Sequence, residues 1–373
     1  MQPRFLVVAG GTGGHLSPGT ALASHLQDSG LSVEFLSLKK NSGYPDLKSA
    51  NYPVHFYSAP SLNARRILLF PFQLIGAIIH AFPVVRKSDA VVLMGGFPCL
   101  PAGLAGLMLR KSIYLCEQNA VMGRANRFFA RFARNVFLNL PLTGRNHTGD
   151  WPVVGNPLRK SFLQKTARST KKSVAAKKKS SRSAASHVSG FSSGRGSRIL
   201  VAGGSQGARQ LNEMVLDLAR SHPDEFQKYR WVLQAGLKNE DYMRSELSGL
   251  KNIKVIGFDP DIHRFYREAD LMVCRAGAGV LTEAFLFGLP MILIPYPYAT
   301  DSHQKENAMY AHLAGAGVLI DSTESRGDLL RDALQGLNAK KLKGMARLSH
   351  SLARPDAATR IQNYLLQDLK TKT

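Results

Sequence analysis

One pattern limits what this chain can fold into, and it occurs twice. Near the start, RFLVVAGGTGGHLSPG (Arg4–Gly19) runs from apolar residues through a cluster of glycines into a helix-like stretch. It recurs as SRILVAGGSQGARQLNEMVLDLAR (Ser197–Arg220). An apolar run that ends in glycines and opens directly into a helix is a strand–turn–helix unit of the kind that builds parallel sheets. The glycines let the backbone approach a ligand closely, and the helix N-terminus offers unpaired N–H groups to an anion.

Further apolar runs follow each copy. After the first come LSVEFLSL, DAVVLMGG (Asp89–Gly96), KSIYLCEQ (Lys111–Gln118) and RNVFLNL (Arg134–Leu140). After the second come YRWVLQAG, NIKVIGF, ADLMVCRAG and LPMILIPYP. Runs of Val, Ile and Leu unbroken by polar residues suit strands covered on both faces, and their alternation with helices predicts doubly wound parallel sheets. A chain of 373 residues has room for about two such domains. The expected division is 1–160 and 198–354, with two α/β domains facing a cleft. The segment from Pro355 to Leu369 reads as a helix packing back on the first domain.

The net charge is +23, but ten Lys and Arg with no acid lie between Lys165 and Arg198, which leaves +13 on the rest. The stretch 165–197, made of Lys, Ser, Ala and Arg, is predicted to be a disordered basic insertion, since it buries too little to offset its ordering entropy. The remaining charge suits anionic partners such as phosphates, pyrophosphates or lipid headgroups. Nucleic acid is not expected, because no recognition motif or aromatic-interleaved basic run accompanies the charge. Three widely spaced cysteines, Cys99, Cys116 and Cys274, form neither a disulfide framework nor a metal knuckle. No signal peptide is expected from MQPRFLVVAGG.

ILLFPFQLIGAIIHAFPVV (Ile67–Val85) is flanked by Arg65, Arg66, Arg86 and Lys87. Leu68, Phe72, Ile75, Ile79 and Phe82 recur at helical spacing, so the segment reads as a core helix, an interfacial membrane-contacting helix or, least fittingly, a span.

Four motifs carry chemistry. In GGTGGHLSPG, Leu16 stands where a dinucleotide fingerprint needs its third glycine, which argues against a dehydrogenase. His15 follows at the C-terminal edge of the first sheet, where an imidazole could take a proton from a hydroxyl or merely cap the helix. In GGSQGARQLN, Ser205 and Gln206 lie at a helix start suited to a diphosphate. In RAGAGVLTEAFLFGLP (Arg275–Pro290), Glu283 falls where a carboxylate can accept ribose hydroxyls, or else simply faces solvent. DSHQKENA (Asp301–Ala308) offers further polar groups, and GNPLR (Gly155–Arg159) adds Arg159 as a phosphate contact.

Taken together, GGTGGH, Gly95–Ala105, EQNAVMGRANR (Glu117–Arg127), GNPLR, GGSQGAR, RAGAxxxxE, GLP and PYPYAxDxHQxxNA stand in the order and spacing of one family. The chain resembles the MurG glycosyltransferases of bacterial wall synthesis over about residues 3–160 and 198–365. That resemblance implies a GT-B fold and inverting transfer of N-acetylglucosamine from UDP-GlcNAc to the C4 hydroxyl of undecaprenyl-pyrophosphoryl-MurNAc-pentapeptide. It also implies a peripheral location on the cytoplasmic face of the inner membrane. It places Thr12, Gly13, Gly14 and His15 beside the reacting sugars, with Glu117 and Asn119 near them. His15 is the expected general base and Glu117 its rival. The resemblance gives Arg159, Ser205 and Gln206 to the diphosphate. Ala278, Gly279, Val280, Leu281, Thr282 and Glu283 go to the uridine, with Glu283 on the ribose and Asp259 beside uracil. Gln304, with His303, falls to the donor sugar. Ile67–Val85 and its basic flanks match the region that meets the membrane. Cofactors are expected to be none and an obligatory metal absent. The sequence departs from the family at Cys116, where histidine is usual, at Gly279–Val280, where hydroxyl residues are common, and at Asp259, where isoleucine is common. A UDP-GlcNAc epimerase or another lipid glycosyltransferase would share the donor half.

Overall fold

The computed structural model describes residues 2–11, 13–58, 68–143, 149–164, 196–203, 208–259, 261–299 and 302–370. The expected basic insertion at 165–197, apart from its last two residues, lies outside them. The chain divides into two compact units, Met1–Lys160 with Arg354–Thr373, and Ser161–Ala353.

The first unit runs β1 (Arg4–Val8), α1 (Gly13–Asp28), β2 (Ser32–Leu38), α2 (Pro45–Lys48), β3 (Val54–Tyr57), α3 (Phe70–Lys87), β4 (Ala90–Leu93), α4 (Leu100–Met108), β5 (Ser112–Glu117), α5 (Arg124–Phe129) and β6 (Asn135–Leu138). Its sheet has the order β3-β2-β1-β4-β5-β6. All the pairings are parallel, with Val7 of β1 lying between Phe35 and Val92. The second unit continues β7 (Arg198–Ala202), α6 (Arg209–Ser221), α7 (Pro223–Gln227), β8 (Arg230–Gln234), α8 (Glu240–Glu246), β9 (Ile253–Ile256), α9 (His263–Glu268) and β10 (Leu271–Cys274). It ends with α10 (Ala278–Phe287), β11 (Met291–Leu293), α11 (His303–Leu313), β12 (Gly317–Leu319), α12 (Gly327–Gln335) and α13 (Ala339–Ser351). Its sheet, β12-β11-β10-β7-β8-β9, is also parallel and has the same connectivity as the first.

The duplication extends to a detail of sheet registration. Asp89, just before β4, accepts the N–H of Arg4 at the start of β1 (2.8 Å). Asp270, just before β10, accepts the N–H of Arg198 at the start of β7 (2.9 Å). In each unit one carboxylate satisfies an otherwise unpaired strand donor beside the central pair.

The central strands are wholly buried and match the apolar runs of the sequence. Two strands were missing from the expectation, β3 and β12, and both are outermost in their sheets with only four and three residues. Each is mostly half-buried, so neither carries the unbroken apolar run that marks the central strands.

Each face of the first sheet has its own apolar layer. One holds Leu16, Leu22, Ala23 and Leu26 of α1 with Ile361 and Leu365 of α14 (Ala357–Lys370), so the last helix belongs to this unit's core. The other takes Ala77, Ala81 and Val85 of α3, Ala102 and Ala105 of α4, and Phe129 of α5. Helix α3 thus turns its small residues inward. Leu68 before it and Phe72, Ile75 and Ile79 on it are 85%, 73%, 55% and 67% exposed, and Phe82 is half-buried. The core-helix alternative is therefore corrected: four of the five large residues of that stripe face out. Among the described residues no helix is long and apolar enough to cross a membrane.

Candidate functional site

In both units the order of strands reverses between the first and fourth strand, and open α/β sheets bind ligands in the crevice at the carboxyl ends there. In the first unit this point is built from glycines. Gly11 has φ +88°, and after β4 Gly95 and Gly96 have φ +94° and +77°. His15, in the first turn of α1, lies against that second turn. A Cβ on Gly96 would come 3.3 Å from its Nε2 and Cδ2, and one on Gly95 would come 3.4 Å from Cε1. Only a residue without a side chain lets the imidazole lie on this backbone. The ring is half-buried, and its Nδ1 lies 2.8 Å from Oε1 of Gln118.

The loop after β5 supplies the rest. Glu117 is 2% exposed. Its Oε1 accepts from the backbone N–H of Asn119 (3.0 Å) and from Asn119 Nδ2 (3.4 Å). Its Oε2 accepts from Gly123 N–H (3.0 Å) and Asn126 Nδ2 (2.8 Å). The carboxylate is therefore encircled by donors that fold residues 117–126 around it, and Asn119 is held half-buried beside it. Gln118 and Asn126, both buried, send their amide N–H groups to the Cys116 carbonyl at 3.2 and 3.1 Å. The sequence motifs contained both residues but gave neither a role: the partner His15 of Gln118 lies 103 residues away, and Asn126 reaches Cys116 and Glu117 only when the loop after β5 folds back. The Cys116 thiol is buried, and burial pushes its pKa well up. Gly13 and Gly14 form the start of α1, while Thr12 lies outside the described residues.

In the second unit the corresponding crevice lies between β7 and β10. Ser205 and Gln206 lie outside the described residues. After β10 the chain turns at Gly277 into α10, whose first helical bond runs from Leu281 N–H to the Gly277 carbonyl (3.0 Å). The N–H groups of Ala278, Gly279 and Val280 precede that bond and so lack an intrahelical acceptor, the usual setting for an anion. A Cβ on Gly279 would meet nothing within 4 Å. Leu281 is fully buried, and Thr282 donates its hydroxyl to the Ala278 carbonyl (2.8 Å), so both side chains serve the helix. Glu283, half-buried one turn on, accepts from the hydroxyl of buried Tyr266 (2.9 Å).

Gln304 accepts the Tyr296 N–H (2.9 Å) and so ties α11 to the loop after β11, with His303 half-buried beside it. Arg275, 5% exposed, donates to the Gln210 side chain and to the carbonyls of Ile294 and Pro295, and burial pushes its pKa down to about 10. It joins α6, β10 and the same loop. Asp259 accepts the Asp261 N–H (2.8 Å) and pairs with Arg264. Arg159 is half-buried in the first unit, after β6. Among the described residues no group of three His, Cys, Asp or Glu could hold a metal ion.

Two doubly wound domains of identical strand order, each with a glycine turn at its switch point, make the GT-B architecture of a glycosyltransferase. The chain belongs to glycosyltransferase family 28: residues 5–138 match its N-terminal domain and 198–361 its C-terminal domain. It is 37% identical over 327 residues, 86% of each chain, to the UDP-N-acetylglucosamine--N-acetylmuramyl-(pentapeptide) pyrophosphoryl-undecaprenol N-acetylglucosamine transferase of Leptospira interrogans. To the protein of that name from Idiomarina loihiensis it is 32% identical over 375 residues, 98% of each. The crystal structure of Acinetobacter baumannii MurG superposes with a TM-score of 0.76 at 25% identity, covering 98% of this chain and 100% of that one.

Proposed function

We propose that the chain transfers N-acetylglucosamine from UDP-GlcNAc to the C4 hydroxyl of undecaprenyl-pyrophosphoryl-MurNAc-pentapeptide, inverting the anomeric carbon. What carries this reading is the relationship to nearly full-length relatives named for that one transfer. The acceptor hydroxyl attacks the anomeric carbon as UDP departs. His15 is the base for the hydroxyl proton. The N–H groups at the start of α10, with Arg159, Ser205 and Gln206, stabilise the leaving diphosphate. Glu283 accepts the ribose hydroxyls. Gln304, His303, Asn119 and Thr12–Gly14 orient the sugars, and Asp259 borders the base from its ion-paired position. Glu117 acts through the shape of its loop, because its oxygens are already occupied by four N–H donors.

The same reading makes the protein peripheral to the membrane that carries its lipid substrate. Exposed Leu68, Phe72, Ile75 and Ile79, bordered by exposed Arg86 and Lys87, form an apolar, basic-edged surface suited to an anionic bilayer. Ile67, Arg65 and Arg66 lie outside the described residues. Helix α5 covers the same sheet face and adds exposed Phe128 and Phe132 among Arg124, Arg127, Arg131 and Arg134. This corrects the expectation that no aromatic-interleaved basic run accompanies the charge, because GRANRFFARFARN alternates Arg and Phe.

The test is turnover of radiolabelled UDP-GlcNAc with and without a short-chain lipid acceptor. Label entering the lipid product, lost in His15→Ala and reduced at low donor concentration in Glu283→Ala, is expected. Turnover without acceptor would instead identify an epimerase, and no turnover at all would sink the transferase reading.

A further inference from the structure

We propose that Gln118 is a positioning residue that fixes the tautomer of His15, leaving Nε2 as the proton acceptor. The proposal rests on the reading of His15 as the base. It follows from which end of the Gln118 amide faces which neighbour. The Cys116 carbonyl can only accept, and it lies 3.2 Å from Gln118 Nε2. Turning the amide over would set oxygen against oxygen there. The carbonyl is also bound by Asn126 Nδ2 at 3.1 Å, and Asn126 is held by Glu117 Oε2, so it cannot swing away to relieve the repulsion. Gln118 Oε1 therefore faces His15 Nδ1 at 2.8 Å as an acceptor, and Nδ1 must carry the proton. The lone pair of the neutral ring is then on Nε2.

Gly95 and Gly96 complete the arrangement by seating the ring on their backbone. A chain thus runs from the Glu117 carboxylate through Asn126, the Cys116 carbonyl and Gln118 to the imidazole. It does the work a carboxylate does in a hydrolase triad, setting orientation and tautomer. Besides His25 and Asp28 in the last turns of α1, Tyr114 on β5 and Arg124 and Arg127 on α5, the titratable groups on the elements around the ring are Cys99, Cys116 and Glu117. The two cysteines are buried thiols with raised pKa, and Glu117 is enclosed by its four donors.

Nitrogen NMR on histidine-labelled wild-type protein reads the tautomer directly, with the His15 signals assigned by their absence from His15→Gln. The proton is expected on Nδ1 in the neutral ring; a proton on Nε2 would overturn the proposal, and the tautomer itself is read on the wild-type protein. In turnover, Gln118→Leu should lower kcat by about 10²-fold, the scale of a misdirected general base, with KM for UDP-GlcNAc unchanged. Gln118→Glu keeps an acceptor at Nδ1 and adds charge. It should recover most of that loss and move the acid limb of the kcat profile to higher pH. Leu and Glu variants of equal kcat, with the wild-type acid limb, would also overturn it. Full activity of His15→Ala would overturn the assignment of the base itself, an outcome separable from the tautomer because the NMR signal does not depend on turnover.

Discussion

Glu117 and Glu283 are both carboxylates beside a switch point, yet their surroundings assign them different work. Glu117 is enclosed by backbone and amide donors that shape its own loop, and a hydrogen bond to a charged group contributes about 1.5–3 kcal/mol. Glu117→Gln should therefore lower the melting temperature clearly and reduce kcat in step with the displaced loop. A stable Glu117→Gln protein with kcat down by orders of magnitude would return Glu117 to the role of base. Glu283 has a hydroxyl partner in Tyr266. Glu283→Ala should raise KM for UDP-GlcNAc by about ten- to a hundredfold, the loss of charged hydrogen bonds to ribose. Tyr266→Phe removes one neutral donor and should raise it only about fivefold, a difference that steady-state kinetics resolves. At this scale the sequence pointed to residues that stand in a local motif, His15 after its glycines and Glu283 one turn into α10, and the fold sets both beside a switch point. The sequence could not reveal Gln118 or Tyr266, whose partners lie 103 and 17 residues away. Their importance is a matter of adjacency, and adjacency is made by the fold.

Among the elements, α3 departs most from what its pattern promised. Apolar residues at helical spacing ordinarily mark the buried face. Here Ala77, Ala81 and Val85 are buried instead, because α3 packs closely over the sheet and α4, and the larger residues are left outside. The sequence held both stripes, and size alone does not say which faces inward. Phe72→Ser, Ile75→Ser and Ile79→Ser together should leave the melting temperature nearly unchanged but abolish co-sedimentation with phosphatidylglycerol vesicles. Retained vesicle binding would show that another surface makes the contact. Within the same layer, α4 crosses α5 where a Cβ on Gly103 would overlap the ring of buried Phe129. Gly103→Val should destabilise the first unit by about 1–3 kcal/mol through overpacking, measured by chemical denaturation. The strands were easier to read than the helices' orientation, since a run buried on both faces leaves no facing to decide.

At the scale of the whole molecule, one plan is used twice, down to the aspartate that fixes the first strand of each sheet. The repeat was legible because glycine turns and buried strands are local in sequence. Each unit also contains its own buried thiols, Cys99 and Cys116 in the first and Cys274 in the second. Burial pushes Cys99 and Cys274 up to about 12, and Cys116 further. None should react with a thiol reagent in the native protein at pH 8. In rising denaturant Cys99 and Cys116 should become labelled together, and mass spectrometry of the labelled peptides checks this. Labelling of any of the three before unfolding would contradict their burial.

The first unit is closed by α14, whose Ile361 and Leu365 are fully buried in its core, and Ser161–Ala353 is interposed between that helix and the rest. On a ribosome, the part made first is therefore the part completed last. At about 5–20 residues per second, the opening sheet must wait roughly ten to forty seconds for its final helix. During that interval the face α14 will cover is open to chaperones, while the later half already has everything it needs to fold.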